Sequence, residues 1–586
     1  MWDRRQGLRR RRRRLAKLAP AVLVVTAAYI ALPGSGAFAG ARTLVAATPV
    51  EPCAALTSLS LPDGGHVTSA VDEPAANGLP AYCGVSITVT DSSDDRGLPG
   101  DTNIFLTLPD DNWNGNFMAE GGGVYAGTAA PPTDQLAAGY AASTTDTGHQ
   151  EDPLTSEWVI DPLAPADGSD GINWNRVNDF GYLSLHFDAV ESKAVIDAYY
   201  GLAPKFSFWN GCSTGGRQGL SEAQKYPTDF NGILAGAPAL DWTKFIPSEL
   251  WPELVMQWNG DNLAPCKEAA VNAALASHCL DQDGKADGVF DPRTCDDLAI
   301  LKSLIGTSTP CGTFTATDAR VVQEIWQGPT DSGLQSDLLD GKRVWFGLEP
   351  GTDLGSVPGA TLGGTEGPND GLGAQVPVPF YVPVDWLRNW VHRDQTWQWQ
   401  SETAPQYFQD IKTSTSLFSY ALDADNPDLS AFRNAGGKLV MWQGLADQLI
   451  FTGDSINYYN QVLNSMGGVN ATEKFARFFL APMVSHCGTP GAGSIAPTDP
   501  MQAVVNWVEK GQAPQTLPAS GTINGASVTR PLCPYPDPDA TYVGGDPNVA
   551  SSYRCRSTVE RTNPWVTGTS TSGASGGRAP KATARQ

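Results

Sequence analysis

The sequence predicts an α/β fold built on a mostly parallel sheet. Apolar strand-like runs alternate with helical runs from about 84 to 240, and the same alternation returns after about 425. A small-residue turn at residue 213 joins one such strand run to a helical one. The chain has 586 residues, 41% apolar and 17% charged, which is ample for a core. Its 17 Trp, 16 Tyr and 20 Phe exclude long-range disorder. Its 62 Gly and 44 Pro point to long, ordered loops. Net charge is −23, with basic residues concentrated in the first 39. The acidic remainder would repel a nucleic-acid backbone, so a neutral or aromatic partner fits better.

The elements follow in order. Residues 1–39 read as a signal peptide: a basic block from Arg9 to Arg14, an apolar stretch from Ala19 to Leu32, and Ala37-Phe38-Ala39 before Gly40. That implies export, with no membrane attachment once the segment is cleaved. An uncleaved anchor is the competing reading, but the apolar run is short for a span. Residues 40–240 form the first part of the α/β domain, with strands at Gly84–Thr90, Asn103–Leu108, Phe117–Ala119 and Lys205–Trp209 and a helix at Ala189–Tyr200. Residues 241–425 read as an inserted lid, where strands thin out and Trp, Cys and Gly-rich loops gather; 357–373 is especially Gly-rich. Residues 426–556 complete the domain through a strand at Lys438–Trp442, a helix at Ser455–Ser465, a strand at Ala476–Ala481 and a helix at Pro500–Lys510. Residues 557–586 are Ser/Thr/Gly-rich and read as a disordered tail.

The 10 cysteines are even in number, and export makes five disulfides the default. Spacing suits Cys53–Cys83, Cys279–Cys295 and Cys533–Cys555. The chain has no CxxC pair, which argues against a zinc ribbon.

Gly211-Cys212-Ser213-Thr214-Gly215 is a G-x-S-x-G motif between a strand and a helical pattern, the context of a nucleophile elbow. The tight turn needs small neighbours and lifts the serine hydroxyl above the sheet. A free serine is a weak nucleophile and needs a base and an orienting acid. The α/β-hydrolase order Ser, acid, His selects Asp447, after the strand at 438–442, and His486, after the strand at 477–480. His149 precedes the serine and reads as a structural loop histidine, while His392 falls in the lid. Cys212 precedes the serine and Cys487 follows the histidine. A hydroxyl and imidazole in contact would bring these neighbours within disulfide reach.

These stretches resemble the tannase and feruloyl esterase family of α/β-hydrolases, which also includes a bacterial mono(hydroxyethyl) terephthalate hydrolase. The resemblance rests on Cys212-Ser213, Asp447 and His486-Cys487. It is supported by Glu120-Gly121-Gly122-Gly123, the 232–238 stretch and the 530–536 stretch. It implies Ser213 as nucleophile, His486 as general base and acid, Asp447 as orienter, and a Cys212–Cys487 bridge. Thr214 would supply one oxyanion N–H and Val124 the second, with Gly123 the neighbouring candidate because the family has glycine at Val124. It also implies a structural calcium in the lid. Asp283, Asp287 and the carbonyls of Lys285 and Val289 match its ligands, and Asp281 stands in for a ligand displaced by one residue. Cys266–Cys311 is then left by elimination.

The function expected is hydrolysis of aromatic carboxylic esters, such as feruloyl or galloyl esters, through an acyl-enzyme. The substrate is then a small or polysaccharide-linked aromatic ester. Competing readings are an esterase on small synthetic aromatic esters and a catalytically silent extracellular binding protein. Trp386, Trp390, Trp397 and Trp399 are candidates to clamp an aromatic acyl group, against a plain role in the lid core. Trp390 and Trp397 are seven apart and would share a helical face.

Overall fold

In a computed structural model of the chain, the described residues are 48–557, apart from 91–97, 99, 165–169, 282–283, 287, 331–343, 355–378 and 489–494. The expected signal segment, the tail from 558, the Gly-rich 357–373 stretch, Asp283 and Asp287 therefore lie outside them.

Nine strands make the main sheet: β1 His66–Glu73, β2 Tyr82–Thr90, β3 Asp101–Pro109, β4 Asn116–Glu120, β5 Ala141–Thr145, β6 Phe206–Cys212, β7 Gly232–Gly236, β8 Lys438–Gly444 and β9 Ala476–Ala481. Their spatial order is β1-β2-β3-β5-β4-β6-β7-β8-β9. From β5 to β9 every pairing is parallel. The pairings β1–β2, β2–β3 and β3–β5 are antiparallel, so the sheet is mixed at this edge. Chain length explains the difference. Short links join β1 to β2 and β2 to β3, whereas parallel neighbours need a crossover. Helices α1 (Ser184–Tyr200) and α2 (Thr214–Lys225) supply two such crossovers, before and after β6.

Strict alternation along the central strands builds two cores. Ala119, Trp209, Ile233, Leu439, Met441 and Phe478 point into one, against Ala189 and Val195 of α1 and Leu220 of α2. Met118, Phe208, Leu234, Val440, Trp442 and Phe479 point into the other, against Val504 and Trp507 of the helix Pro500–Lys510. With helices on both faces, β7 and β9 are buried along their whole length, as parallel strands in such a sheet are.

Between β7 and β8 the described residues contribute no strand to this sheet; helices dominate, including Trp251–Asn259, Pro265–His278, Ala316–Gln327 and Ala404–Leu422. Their core holds Trp242, Trp386, Trp390 and Phe418, and also Tyr125, Ile450 and Phe451 from loops beyond sheet strands. The helical region is thus packed onto the loops at the strand ends. A small antiparallel sheet of β10 (Ile495–Pro497), β11 (Leu517–Ile523) and β12 (Ala526–Leu532) was not anticipated from the sequence. All five cysteine pairings are present: Cys53–Cys83, Cys212–Cys487, Cys266–Cys311, Cys279–Cys295 and Cys533–Cys555.

Candidate active site

The serine turn is built from close backbone packing. Strand β6 ends at Cys212, α2 begins at Thr214, and Ser213 between them adopts φ 62° and ψ −125°. This left-handed kink is rare for a non-glycine residue and marks a strained functional turn. A side chain at Gly211 would sit 2.3 Å from the Gly215 carbonyl oxygen, and one at Gly121 would sit 2.4 Å from the Gly215 Cα. Both positions therefore require glycine. The Ser213 N–H donates to the Gly236 carbonyl at 3.0 Å, which fixes the turn against the next strand.

The glycine loop after β4 lies against this turn. The Gly121 N–H donates to the Asn210 carbonyl and the Gly122 N–H to Gln218 Oε1, each at 2.9 Å. The Tyr125 N–H donates to the Pro153 carbonyl at 3.1 Å. Among the described residues, no acceptor takes the N–H of Gly123 or Val124. Val124 and Ala126 have φ of 50° and 57°, a region that a β-branched residue such as valine seldom enters. Two bonds hold the kink. Thr214 Oγ1 donates to the Val124 carbonyl at 2.6 Å, and His149 Nε2 donates to the Tyr125 carbonyl at 2.7 Å. The first N–H groups of a helix have no intrahelical acceptor, and Thr214 is the first residue of α2.

His149 is thus a loop-holding residue, as the sequence suggested. It is buried and stacks on Trp158 with ring centres 4.1 Å apart. Burial pushes its pKa down to about 4, so at neutral pH it carries one proton, on Nε2, where the Tyr125 carbonyl accepts it.

Asp447 and His486 meet at the ends of β8 and β9. His486 Nδ1 lies 3.0 Å from Asp447 Oδ2 and 3.1 Å from Oδ1. The carboxylate also accepts the Leu449 and Ile450 N–H groups at 2.9 and 2.8 Å, and Gln443 Nε2 at 2.9 Å. Gln443 is itself held by the Ser455 hydroxyl at 3.0 Å. The His486 N–H donates to Gln448 Oε1 at 3.0 Å, which fixes the histidine backbone. With Nδ1–H directed at the carboxylate, Nε2 carries the lone pair and is the basic atom. Cys487 Sγ lies 3.5 Å from that nitrogen.

The Cys212–Cys487 bridge spans a Cα–Cα distance of 5.9 Å. Ser213 follows one of its cysteines and His486 precedes the other, so the expected nucleophile and base flank a single covalent link. Of the expected oxyanion residues, Thr214 bonds through its hydroxyl to the Val124 carbonyl, and Gly123 is the residue before Val124. Behind the serine turn, Arg217 of α2 is fully buried and donates to the carbonyls of Gly181, Phe180 and Leu422. Its guanidinium lies 4.8 Å from the Phe180 ring centre and 5.1 Å from that of Trp242. The serine helix is thereby anchored to the helical region. Gln443, Gln448, Gln218 and Arg217 were not singled out in the sequence. The one visible signal was a polar Gln443 ending the apolar run Val440-Met441-Trp442.

The lid tryptophans depart from the clamp expectation. Trp386 and Trp390 are fully buried, stack on each other at 4.4 Å, and satisfy their N–H groups with Ser414 and Ser156. They are core. Trp390 and Trp397 do not share a helical face, because the helical turns end at His392 and Arg393 turns left-handed with φ 54°. Trp399 is also buried.

In the expected calcium loop, the Asp281 N–H donates to the Lys285 carbonyl at 2.7 Å, and the Gly284 N–H returns to the Asp281 carbonyl at 2.9 Å. The Asp281 carboxylate faces Arg530 of β12 at 3.3 Å. The Cys279–Cys295 bridge closes the loop. Its oxygen donors suit a hard cation, but Asp281 is turned to the guanidinium.

A nine-stranded mixed sheet with an acid and a histidine on successive parallel strand ends, beside a strand-turn-helix serine, defines the α/β-hydrolase class. The family described as tannase and feruloyl esterase matches residues 94–556. A probable feruloyl esterase of Arthroderma benhamiae is 35% identical over 489 residues, covering 81% of this chain and 85% of that protein. A probable feruloyl esterase B-1 of Aspergillus oryzae is 27% identical, covering 83% and 86%. Among solved structures, feruloyl esterase B from Aspergillus oryzae superposes with TM-score 0.68 at 24% identity, covering 86% of this chain and 99% of that one. The tannin acyl hydrolase of Aspergillus niger superposes with TM-score 0.69 at 22% identity, covering 82% and 91%. The chain belongs to the tannase and feruloyl esterase family of carboxylic ester hydrolases.

Proposed function

We propose that the protein is a secreted serine esterase that cleaves aromatic carboxylic esters of the feruloyl or galloyl type. One observation carries the reading: the Asp447–His486 pair is joined through the Cys212–Cys487 bridge to the strained turn at Ser213. Ser213 Oγ attacks the ester carbonyl as His486 Nε2 takes its proton. The developing imidazolium is stabilised by Asp447, which already accepts three further hydrogen bonds and so cannot swing away. The tetrahedral oxyanion forms where the N–H groups of Thr214 and of Val124 or Gly123 converge. Losing one such donor typically costs about 100–1,000-fold in turnover. His486 then protonates the leaving alcohol and activates water for release of the acid.

The aromatic preference rests on the relatives, several of which are named feruloyl esterases. Buried Trp386 and Trp390 do not contribute to it. Export is consistent with five disulfides, which suit an oxidising compartment. Calcium in the 279–289 loop belongs to the proposal, held by Asp283, Asp287 and the carbonyls of Lys285 and Val289, with Asp281 anchoring the loop through Arg530. The ion's part is structural; no step of ester cleavage passes through it.

Hydrolysis of methyl ferulate, methyl caffeate, methyl gallate and p-nitrophenyl acetate tests the substrate class. Turnover of one or more aromatic acid esters above the acetate is expected. Activity on the acetate alone would refute aromatic specificity.

A further inference from the structure

Away from the serine, three metal-binding side chains converge in the helical region. His392 ends a π-helical turn (Leu387–His392), Asp410 lies in the helix Ala404–Leu422, and Glu402 precedes that helix. One ligand atom from each lies within 4.8 Å of the other two. His392 Nε2 is 2.7 Å from Asp410 Oδ2. Trp397 stacks on the imidazole with centroids 4.9 Å apart and planes at 20°, which fixes the ring.

We propose that His392, Glu402 and Asp410 bind a divalent first-row transition cation of the zinc type. The decisive observation is Glu402. Its residue is 3% exposed, and its Oε1 has no hydrogen-bond partner among the described residues. A buried carboxylate oxygen left without a donor is costly, and the Glu402 carboxylate lies beside an imidazole and a second carboxylate. Charge counting points the same way. Burial and the neighbouring Asp410 carboxylate disfavour the ionised form of Glu402, whereas a dication beside a neutral imidazole would balance both carboxylates. One nitrogen and two oxygens make a borderline donor set, better suited to zinc than to calcium, which takes oxygen ligands throughout.

The geometry needs little movement. Tetrahedral zinc with bonds near 2.1 Å holds its ligand atoms about 3.4 Å apart. Three atoms within 4.8 Å reach that spacing by side-chain rotation. The cation replaces the proton shared by His392 and Asp410. The His392 side chain is 28% exposed, which gives the ion an entry route and a place for a water as fourth ligand. Bound there, it staples the end of the π-helical turn to the long helix, pinning the Trp386–Trp399 segment. Nothing in this site touches Ser213, and its test does not depend on esterase activity.

The test uses the full-length protein stripped with chelator, then kept in saturating calcium so that the 279–289 loop is not in play. Zn²⁺ is titrated by calorimetry, and melting temperature is followed with and without it. The expected result is one Zn²⁺ per chain and a rise in melting temperature of roughly 2–5 °C. His392→Phe, which keeps a ring against Trp397, and Asp410→Asn should each weaken binding by about 100-fold or more while preserving the circular dichroism spectrum. Cobalt in place of zinc should give visible absorption in the wild type and lose it in both variants. Absence of zinc binding in the wild type overturns the proposal. So does equal binding by the wild type and a folded variant. A melt that responds to pH but not to zinc shows that the three groups share only a proton, which overturns it as well.

Discussion

The Thr214 hydroxyl donates to the Val124 carbonyl at 2.6 Å, so the residue after the serine holds the loop that faces it. Val124 occupies a left-handed conformation that valine resists. The hydroxyl is one of two bonds that keep it there. Thr214→Val removes the donor at nearly constant volume. A lost hydrogen bond of this kind is worth about 0.5–1.5 kcal/mol, so kcat on methyl ferulate should fall roughly 2–10-fold with KM little changed. Thr214→Ser should restore it. Wild-type kcat in Thr214→Val would show that this bond does not position the loop.

The Cys212–Cys487 bridge fixes the serine turn to the histidine loop. Replacing both cysteines by alanine should lower kcat by about 10-fold or more through lost preorganisation. Secondary structure by circular dichroism should remain. Parallel loss of activity and of the near-UV signal during titration with reductant would instead make the bridge a general fold support.

Much of this was legible in the sequence, and the gaps have physical causes. β9 and the helix Pro500–Lys510 were placed to the residue because apolar period and caps agree there. The nucleophile turn was legible because its glycines are forced by backbone contact. β1 was missed because it lies at the sheet edge with one buried residue of eight, so no alternation marks it. The clamp and lid-core readings of the tryptophans stayed open because sequence does not distinguish an indole that stacks on a ligand from one that stacks on Trp390; burial of Trp386 and Trp390 decides for the core. Gln443 and Gln448 support the acid and base only through tertiary contacts, and such roles leave no local pattern.

Stability should fall as pH rises from about 5 to 8. Burial pushes Glu120 up to about 8, and burial also raises Asp423 to about 7. An acid with a raised folded pKa binds its proton more tightly when folded. Its penalty is absent below the unfolded pKa and grows until pH passes the folded value. Melting temperature should therefore be higher at pH 5 than at pH 8. Glu120→Gln, which keeps an acceptor for Asn210 Nδ2, should flatten that dependence. An unchanged slope in the variant would remove Glu120 from the explanation.

Calcium removal should lower the melting temperature while leaving turnover at room temperature largely intact, because the 279–289 loop lies apart from the Ser213 turn in sequence and is closed by its own disulfide. Re-addition of calcium should restore the melt. A melt indifferent to chelation would reject the ion.

Titration with a p-nitrophenyl phosphonate measures directly whether Ser213 is the nucleophile of an acyl-transfer site. A stoichiometric burst of p-nitrophenolate is expected, with the phosphonyl group recovered on the peptide containing Ser213, and no burst from Ser213→Ala. A wild type that stays unlabelled, or a label that persists in Ser213→Ala, would contradict it.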